Sequence, residues 1–264
     1  GTADTAGGSL TIASGNSTGA NNGTGYLNSP LVGTPGATTV NTTAVRASWN
    51  ETGLNSYAGF NVHLTADAVI QMGCVVMADA GTDGRFDING SAGTSGIGVL
   101  RGVGPSAQGS DYGIAIGGLA YVAMAQDIAV TRNHFLIMST TAGFCDDSAT
   151  VNAEGLNVGV AMYSEALFAF TAPGGVTTNT ITLNSAPGWA VNDPVIYWQS
   201  GDATVPTGLT TGTVYWVRSI TTTAITLSAT RGGAVLAITA NTGSGTTMYF
   251  QRLPKAMINL FYTN

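Results

Sequence analysis

The sequence predicts an all-β protein with a small β-barrel or sandwich, a second small β domain and an extended N-terminal arm. Glycine supplies 37 of the 264 residues and, with Asn, Asp and Ser, punctuates the chain at short intervals. The runs between these turns are short, apolar and rich in β-branched and aromatic residues, as strands are. Helical periodicity is weak, because even the best window, residues 120–129, is flanked by glycine and β-branched residues.

Residues 1–43 form the predicted arm. This stretch consists mainly of Gly, Thr, Ser, Asn and Ala. Alone it buries too little apolar surface to offset the entropy lost on ordering, so it is either flexible or ordered along another subunit. Its only sizeable apolar anchors are Leu10, Ile12, Tyr26, Leu27, Leu31 and Val32.

The first predicted β domain comprises residues 44–166 together with 252–264. Strand-like runs follow one another in its first part, and the last run, residues 256–262, alternates as an edge or closing strand does. The runs in the first part cover residues 60–64, 69–77, 96–103, 112–124, 135–139 and 157–163.

Residues 167–251 are predicted to be a small β domain inserted before that last strand. Trp189, Trp198 and Trp216, three of the four tryptophans, lie here and indicate a separate aromatic core. The strand-like runs cover residues 180–183, 195–198, 214–217, 224–227, 235–238 and 248–250.

Charge is sparse and excludes several classes of partner. The chain has 8 basic and 14 acidic residues, a net charge of −6, and Lys255 is its only lysine. Without a basic patch to neutralise phosphates, nucleic-acid binding is not expected, and neither is binding to anionic membranes. No apolar run reaches the roughly 18–20 residues of a membrane span, because Gly117 and Gly118 interrupt the longest.

No pattern in the sequence predicts a catalytic, cofactor or metal site, so we expect a protein that is not an enzyme. His63 and His134 are the only histidines, and both are interpreted as turn or core residues. No nucleophile elbow or paired zinc-ligand motif accompanies them. The glycine-rich stretch at residues 93–98 lacks the lysine of a phosphate-binding loop.

Acidic residues cluster at two places. Asp79, Asp83, Asp87 and Asn89 could offer oxygen ligands to calcium, but their spacing departs from an EF-hand loop, so a solvated hairpin turn is predicted. The adjacent pair Asp146 and Asp147 is likewise predicted to lie in a turn, since adjacency does not supply the separation of glycosidase carboxylates.

Cys74 and Cys145 are the only cysteines. They lack zinc-ligand spacing, and we interpret both as small buried hydrophobic residues. A Cys74–Cys145 disulfide stays an open alternative, because the sequence does not give the distance between the two residues.

The succession of runs at residues 69–77, 96–103, 112–122, 130–139 and 157–163 resembles the capsid decoration, or cement, proteins of tailed bacteriophages. The resemblance covers residues 60–165 and 253–264, with Asn133 standing where a glycine is common. Residues 193–195, 206–217 and 227–234 resemble a small all-β module that recurs in phage virion proteins.

These resemblances imply a structural virion protein on the outer surface of the capsid. They imply a homotrimer that binds the major capsid protein and stabilises the head, with the arm reaching across capsomers. Alternatives are a tail, fibre or extracellular filament subunit, or a carbohydrate-binding virion appendage. The last would use Trp189, Trp198, Trp216, Tyr197 and Tyr215 as stacking faces, about half of them exposed because neighbouring strand residues point to opposite faces.

Overall fold

The structure is a computed structural model of the chain. It describes residues 25–30, 43–50, 53–54, 61–82, 85–90, 96–102, 105–152, 155–171, 174–199, 205–239 and 248–263, and side chains within residues 64–260 of these. The described residues contain strands and turns but no α-helix, which confirms the predicted all-β class. Residue contacts divide the chain into two compact units, Gly1–Ser56 and Tyr57–Asn264.

The first unit contains a three-stranded antiparallel sheet. Its strands are β1 (Gly25–Pro30), β2 (Thr43–Asn50) and β3 (Gly53–Leu54). β2 lies between the other two, with Gly25 opposite Trp49 and Trp49 opposite Leu54. The predicted arm therefore contains one strand of a hairpin, and its other residues and all its apolar anchors lie outside the described side chains.

The second unit begins with a closed five-stranded barrel. Its strands are β4 (Asn61–Ala66), β5 (Val75–Ala78), β6 (Arg85–Ile88), β7 (Gly96–Leu100) and β8 (Asp111–Ala115). They are hydrogen-bonded in the order β4-β6-β5-β7-β8, and β8 closes the barrel by pairing with β4. The β4–β6 pair is parallel, and every other pair in the barrel is antiparallel.

A five-stranded antiparallel sheet follows. Its strands are β9 (Gly117–Tyr121), β10 (Phe135–Met138), β11 (Cys145–Ser148), β12 (Gly155–Ala161) and β20 (Lys255–Thr263). The order is β11-β10-β12-β20-β9, so the last strand of the chain lies inside the sheet. This strand was predicted to be an edge or closing strand, and the edge alternative was wrong, because both of its backbone edges pair with neighbours.

The chain between β12 and β20 forms a seven-stranded sheet. Its strands are β13 (Phe168–Phe170), β14 (Val176–Thr177), β15 (Thr180–Thr182), β16 (Pro194–Gln199), β17 (Thr213–Thr221), β18 (Ala224–Ser228) and β19 (Met248–Arg252). The order is β13-β19-β16-β17-β18-β15-β14. The predicted boundaries of an inserted domain stay a prediction, since this sheet belongs to the same compact unit as the barrel.

One hydrophobic core joins the barrel to the seven-stranded sheet. Each of the five barrel strands contributes a buried side chain to it: Ala66, Val76, Phe86, Leu100 and Ile114. The same core contains buried side chains from one face of the seven-stranded sheet: Ile196, Trp198, Val214, Trp216 and Tyr249. A second core lies between Val75, Val99 and Ala115 of the barrel strands and the inner face of the five-stranded sheet.

A third core covers the other face of the seven-stranded sheet. Val195, Tyr197, Tyr215, Val217 and Phe250 are all buried there. Loop residues complete this core: Trp189, Leu209 and Ile238. The run at residues 235–238 was predicted as a strand but forms none, and only the following Thr239 makes an isolated bridge, to Thr207.

Candidate functional site

A cleft of about 400 Å³ opens where the barrel, the five-stranded sheet and the seven-stranded sheet meet. The residues after β7 form one wall, and β9, the start of β20 and the turn after β12 form another. The third wall comes from β17 and the turns before β16 and after β18. The side chains that line the cleft as a whole include Arg101, Tyr121, Tyr163, Asn192, Trp216, Arg231 and Lys255.

Tyr121 and Lys255 are held together by strand pairing. They lie directly opposite each other on β9 and β20. Residues opposite each other on paired strands point to the same face, so their side chains meet. The Lys255 Nζ lies 5.2 Å from the centroid of the Tyr121 ring, a cation–π distance. The backbone oxygen of Lys255 accepts a hydrogen bond of 2.9 Å from the backbone N–H of Met162, which places Tyr163 beside them.

Arg231 and Trp216 form a similar pair on the opposite wall. The guanidinium carbon of Arg231 lies 5.9 Å from the centroid of the Trp216 ring. Gly232 follows with a φ of 72°, a left-handed conformation that suits glycine and turns the chain back. Trp216 is only 3% exposed, and its indole Nε1 has no hydrogen-bond partner among the described residues.

Arg101 supplies a third cation to the cleft. It follows β7, where its backbone N–H donates a 2.9 Å hydrogen bond to the carbonyl of Gly113. The guanidinium is half-buried, and this burial lowers the pKa of Arg101 from its ordinary value.

An ionic cluster lies beside the cleft and lines a smaller cavity of about 110 Å³. The Arg252 guanidinium contacts Glu165 at 2.8 Å and Asp193 at 3.1 Å. Glu165 is only 6% exposed. Its burial raises the pKa of Glu165, while the hydrogen bond and charge of Arg252 oppose that rise. The cluster thereby ties the loop before β13 to the start of β16 and the end of β19.

The structure describes the side chain of one of the two histidines. His134 Nδ1 lies 2.7 Å from Asp147 Oδ2, and Asp147 Oδ1 accepts a 3.1 Å hydrogen bond from the backbone N–H of Thr131. The backbone N–H of His134 donates to the Thr131 carbonyl at 3.1 Å. His134 is thus a partnered turn residue, as predicted, while the side chain of His63 lies outside the described residues.

Asp146 and Asp147 do not lie in a turn. Both belong to β11, opposite Ile137 and Leu136 of β10. That prediction was wrong because carboxylates are unfavourable in strands in general but are tolerated on an edge strand, where one side faces solvent. Asp147 in addition gains the two partners described above, His134 and Thr131.

The acidic stretch at residues 79–89 forms a hairpin between β5 and β6. Met77 lies opposite Asp87, and Asp79 Oδ2 accepts a hydrogen bond of 3.1 Å from the backbone N–H of Gly81. Asp83 lies outside the described residues. Within the part of the chain that the structure describes, no group of three or more His, Cys, Asp or Glu residues could hold a metal ion.

Both cysteines are buried and free. Cys74 is 1% exposed and Cys145 is fully buried, in agreement with their interpretation as small hydrophobic residues. Burial raises the pKa of Cys74 to about 12 and also raises that of Cys145. Both thiols are therefore neutral at neutral pH.

The predicted exposure of the aromatic residues in the seven-stranded sheet was wrong. Trp189 and Trp198 are each 6% exposed, Tyr215 is 4% exposed and Tyr197 is fully buried. The alternation itself was read correctly, since Tyr197 and Trp198 enter two different cores. Both faces of the sheet are covered, so neither ring of such a pair reaches solvent.

No pattern in the sequence predicted the residues of the cleft. Arg101, Tyr121, Arg231 and Lys255 come from separate parts of the chain and share no spacing motif. The one available signal was the scarcity of cations, since three of the eight basic residues of the chain line this cleft. The glycine-rich stretch at residues 93–98 is not part of it, and its described residues, 96–98, belong to β7.

No protein-family model, curated protein or solved structure matches this chain. In the described residues, no helix is long and apolar enough to cross a membrane.

Proposed function

We propose that this chain is a structural virion protein that binds the outer surface of a tailed-bacteriophage head and stabilises it. The observation that carries the proposal is the core shared by all five barrel strands and one face of the seven-stranded sheet. A protein that holds neighbouring capsid subunits against internal pressure has to transmit force without bending. A shared close-packed core suits that task, because protein interiors have low compressibility and transmit strain.

The outer face of the five-stranded sheet supplies a surface for the shell. Phe135, Val160, Met257 and Leu119 lie opposite one another in one row across β10, β12, β20 and β9. Their neighbours Leu136, Ala161, Ala256 and Ala120 point into the second core, so the row points away from it. Met257 is 43% exposed, and such apolar surface is what an assembly partner buries.

In this proposal, the first compact unit, Gly1–Ser56, makes a second contact with the capsid. Residues before Tyr57 form a compact unit of their own, with a sheet built from β1, β2 and β3. In this proposal the unit engages the major capsid protein across capsomers, and the chain acts as a homotrimer. The trimer rests on the resemblance to decoration proteins alone.

Cryo-electron microscopy of the native particle tests the proposal. We expect density for this chain on the outer surface of an icosahedral shell, clustered at threefold positions. Density stacked along a tube, or at the tip of a fibre, would overturn the proposal in favour of a tail or filament subunit.

A binding experiment tests the role of the first unit. We expect a chain that begins at Tyr57 to stay folded and to lose binding to expanded, undecorated heads. The cut falls at the boundary between the units, because removing residues 1–43 alone would leave β2 without its partner β1. Undiminished binding of the shortened chain would contradict the proposed role.

A further inference from the structure

The cleft gathers positive charge in a protein that has little of it. Arg101, Arg231 and Lys255 all line it, although the chain carries a net charge of −6. Among the described residues that line the cleft, none is an Asp or a Glu. The acidic residues nearby, Glu165 and Asp193, contact Arg252 instead. Arg231 and Lys255 therefore give the cleft a positive field, and no acidic residue of its described lining opposes it.

Two of these three cationic side chains, Arg231 and Lys255, form no ion pair with a carboxylate of the described residues. Within the described residues, Arg231 and Lys255 have aromatic contacts and no ion pair, whereas Arg85 and Arg252 are paired with acids. Asn192 adds a carboxamide to the same cleft, and it too has no side-chain hydrogen bond to the described residues. A guanidinium, an ammonium and a carboxamide are thus available to a ligand that brings acceptor oxygens.

The remaining lining is aromatic and apolar. Tyr163 is 56% exposed and Met162 is 39% exposed, and both lie at the mouth of the cleft beside Tyr121. The volume of about 400 Å³ falls in the range of about 300–1,000 Å³ typical of pockets for small ligands. An exposed phenol ring offers a flat face on which the C–H face of a sugar ring can pack. Ligands that combine a carboxylate, hydroxyls and an apolar face fit this lining best.

We propose that the cleft binds a carboxylated sugar, such as the uronic or sialic acid unit of an acidic glycan. Arg231 and Lys255 bind the carboxylate. The Asn192 carboxamide binds a hydroxyl, and the Tyr163 ring packs against the sugar ring. The site differs from the stacking surface expected from the sequence, whose tryptophans are buried. It does not depend on the proposed attachment to a phage head.

Titration of the full-length chain with acidic and neutral sugars tests this proposal. Calorimetry with glucuronic, galacturonic and N-acetylneuraminic acid is compared with glucose, which lacks the carboxylate, and with acetate, which lacks the ring. We expect saturable binding of at least one acidic sugar, with glucose and acetate at least about tenfold weaker because charged hydrogen bonds and ring contacts both contribute. In a ¹⁵N NMR titration, the amide signals of Asn192 and Tyr163 shift.

Variants then connect the binding to the cleft. Lys255→Gln and Arg231→Gln each weaken binding of the acidic sugar by at least about tenfold. Arg218→Gln is the matched control, since Arg218 is an exposed arginine outside the cleft lining and its loss changes the net charge equally. All three residues are exposed, so folding is preserved and is checked by the melting temperature.

Any one of four results would overturn the proposal. One is the absence of saturable binding for all three acidic sugars at millimolar concentration. Another is equal affinity for glucuronic acid and glucose, and a third is unchanged affinity in both cleft variants. Tight binding of acetate, equal to that of the sugars, would show a site for simple anions and would likewise contradict a sugar site.

Discussion

The seven-stranded and five-stranded sheets differ in how many of their faces are covered. In β16 of the seven-stranded sheet, the adjacent residues Tyr197 and Trp198 are 0% and 6% exposed. In β20 of the five-stranded sheet, the adjacent residues Ala256 and Met257 are 0% and 43% exposed. Alternation along a strand assigns each side chain to a face. Whether that face meets solvent depends on what packs against it, which the strand itself does not encode.

The largest loss of stability is expected from truncation of Trp198, which lies in the seven-stranded sheet, the sheet that is covered on both faces. Its ring packs edge-on against Phe144, with centroids 5.2 Å apart, inside the core shared with the barrel. We expect Trp198→Ala to lower the free energy of unfolding by about 3–5 kcal/mol, the usual cost of a large core cavity. Urea denaturation followed by circular dichroism measures it.

The same variant, studied by hydrogen exchange, shows whether the barrel and the seven-stranded sheet unfold together. Hydrogen exchange of β5 and of β17 should accelerate equally in Trp198→Ala if one core joins them. Val235→Ala is the control, because Val235 is 46% exposed and its loss should cost less than about 0.5 kcal/mol. A loss below about 1 kcal/mol in Trp198→Ala would mean that the shared core contributes little.

Much of the strand pattern followed from local sequence. The runs at residues 195–198, 214–217 and 224–227 were predicted and lie in β16, β17 and β18. Several strands were missed, and two of them, β6 and β11, contain aspartate, which also favours turns. They form strands because paired neighbours override the weak local preference, as Phe86 of β6 shows by packing into the shared core.

The cleft could not be predicted in the same way. Arg101 and Lys255 are 154 positions apart in the chain and are brought to one cavity only by the pairing of β9 with β20 and the position of the barrel beside them. Long-range strand pairing is set by tertiary packing, so no spacing in the sequence announces it. The prediction that about half of the aromatic residues would be exposed was wrong for the same reason, because residues of the barrel cover Trp216.

The second largest effect is expected at the ion cluster that joins the loop before β13 to β19. Arg252→Met leaves the buried Glu165 carboxylate without its cation. Removing one member of a fully buried pair costs about 3–5 kcal/mol, and we expect about 2–3 kcal/mol here because Arg252 keeps contact with water. Denaturation at neutral pH measures the loss, and Arg252→Lys, which keeps the charge, should recover part of it.

The pH dependence of that variant gives an independent measurement. The folded-state pKa of Glu165 is raised, so its stabilising contribution is full below the unfolded pKa and is lost as the pH rises through the folded value. Arg252→Met removes the interactions that oppose this rise and raises the pKa further. The stability deficit of the variant should therefore be largest at neutral pH and shrink on acidification. A deficit that grows on acidification would contradict this assignment.

A smaller effect is expected at Gly159 of β12, which lies against the backbone of β20. A Cβ added at Gly159 would lie 2.3 Å from the backbone oxygen of Met257. We expect Gly159→Ala to cost about 1–2 kcal/mol, since the strain of overpacking exceeds the entropy gained by replacing glycine. Thermal and urea unfolding measure it. Gly90→Ala is the control, because an added Cβ there meets nothing within 4 Å, and equal costs at both positions would refute the steric explanation.

The smallest expected change in stability is at Met257, on the outer face of the five-stranded sheet. The adjacent Ala256, on the inner face, provides the comparison. Met257→Thr, on the outer face, should change the free energy of unfolding by less than about 0.5 kcal/mol. Ala256→Thr, one residue earlier, places a larger polar side chain in the second core and should cost about 1–3 kcal/mol. Urea unfolding of both variants tests the assignment, which equal costs would contradict. If the apolar row binds the shell, Met257→Thr still weakens attachment to expanded heads. The reason is that the outer face of β20 contacts the shell, whereas its inner face packs in the second core and stabilises the fold.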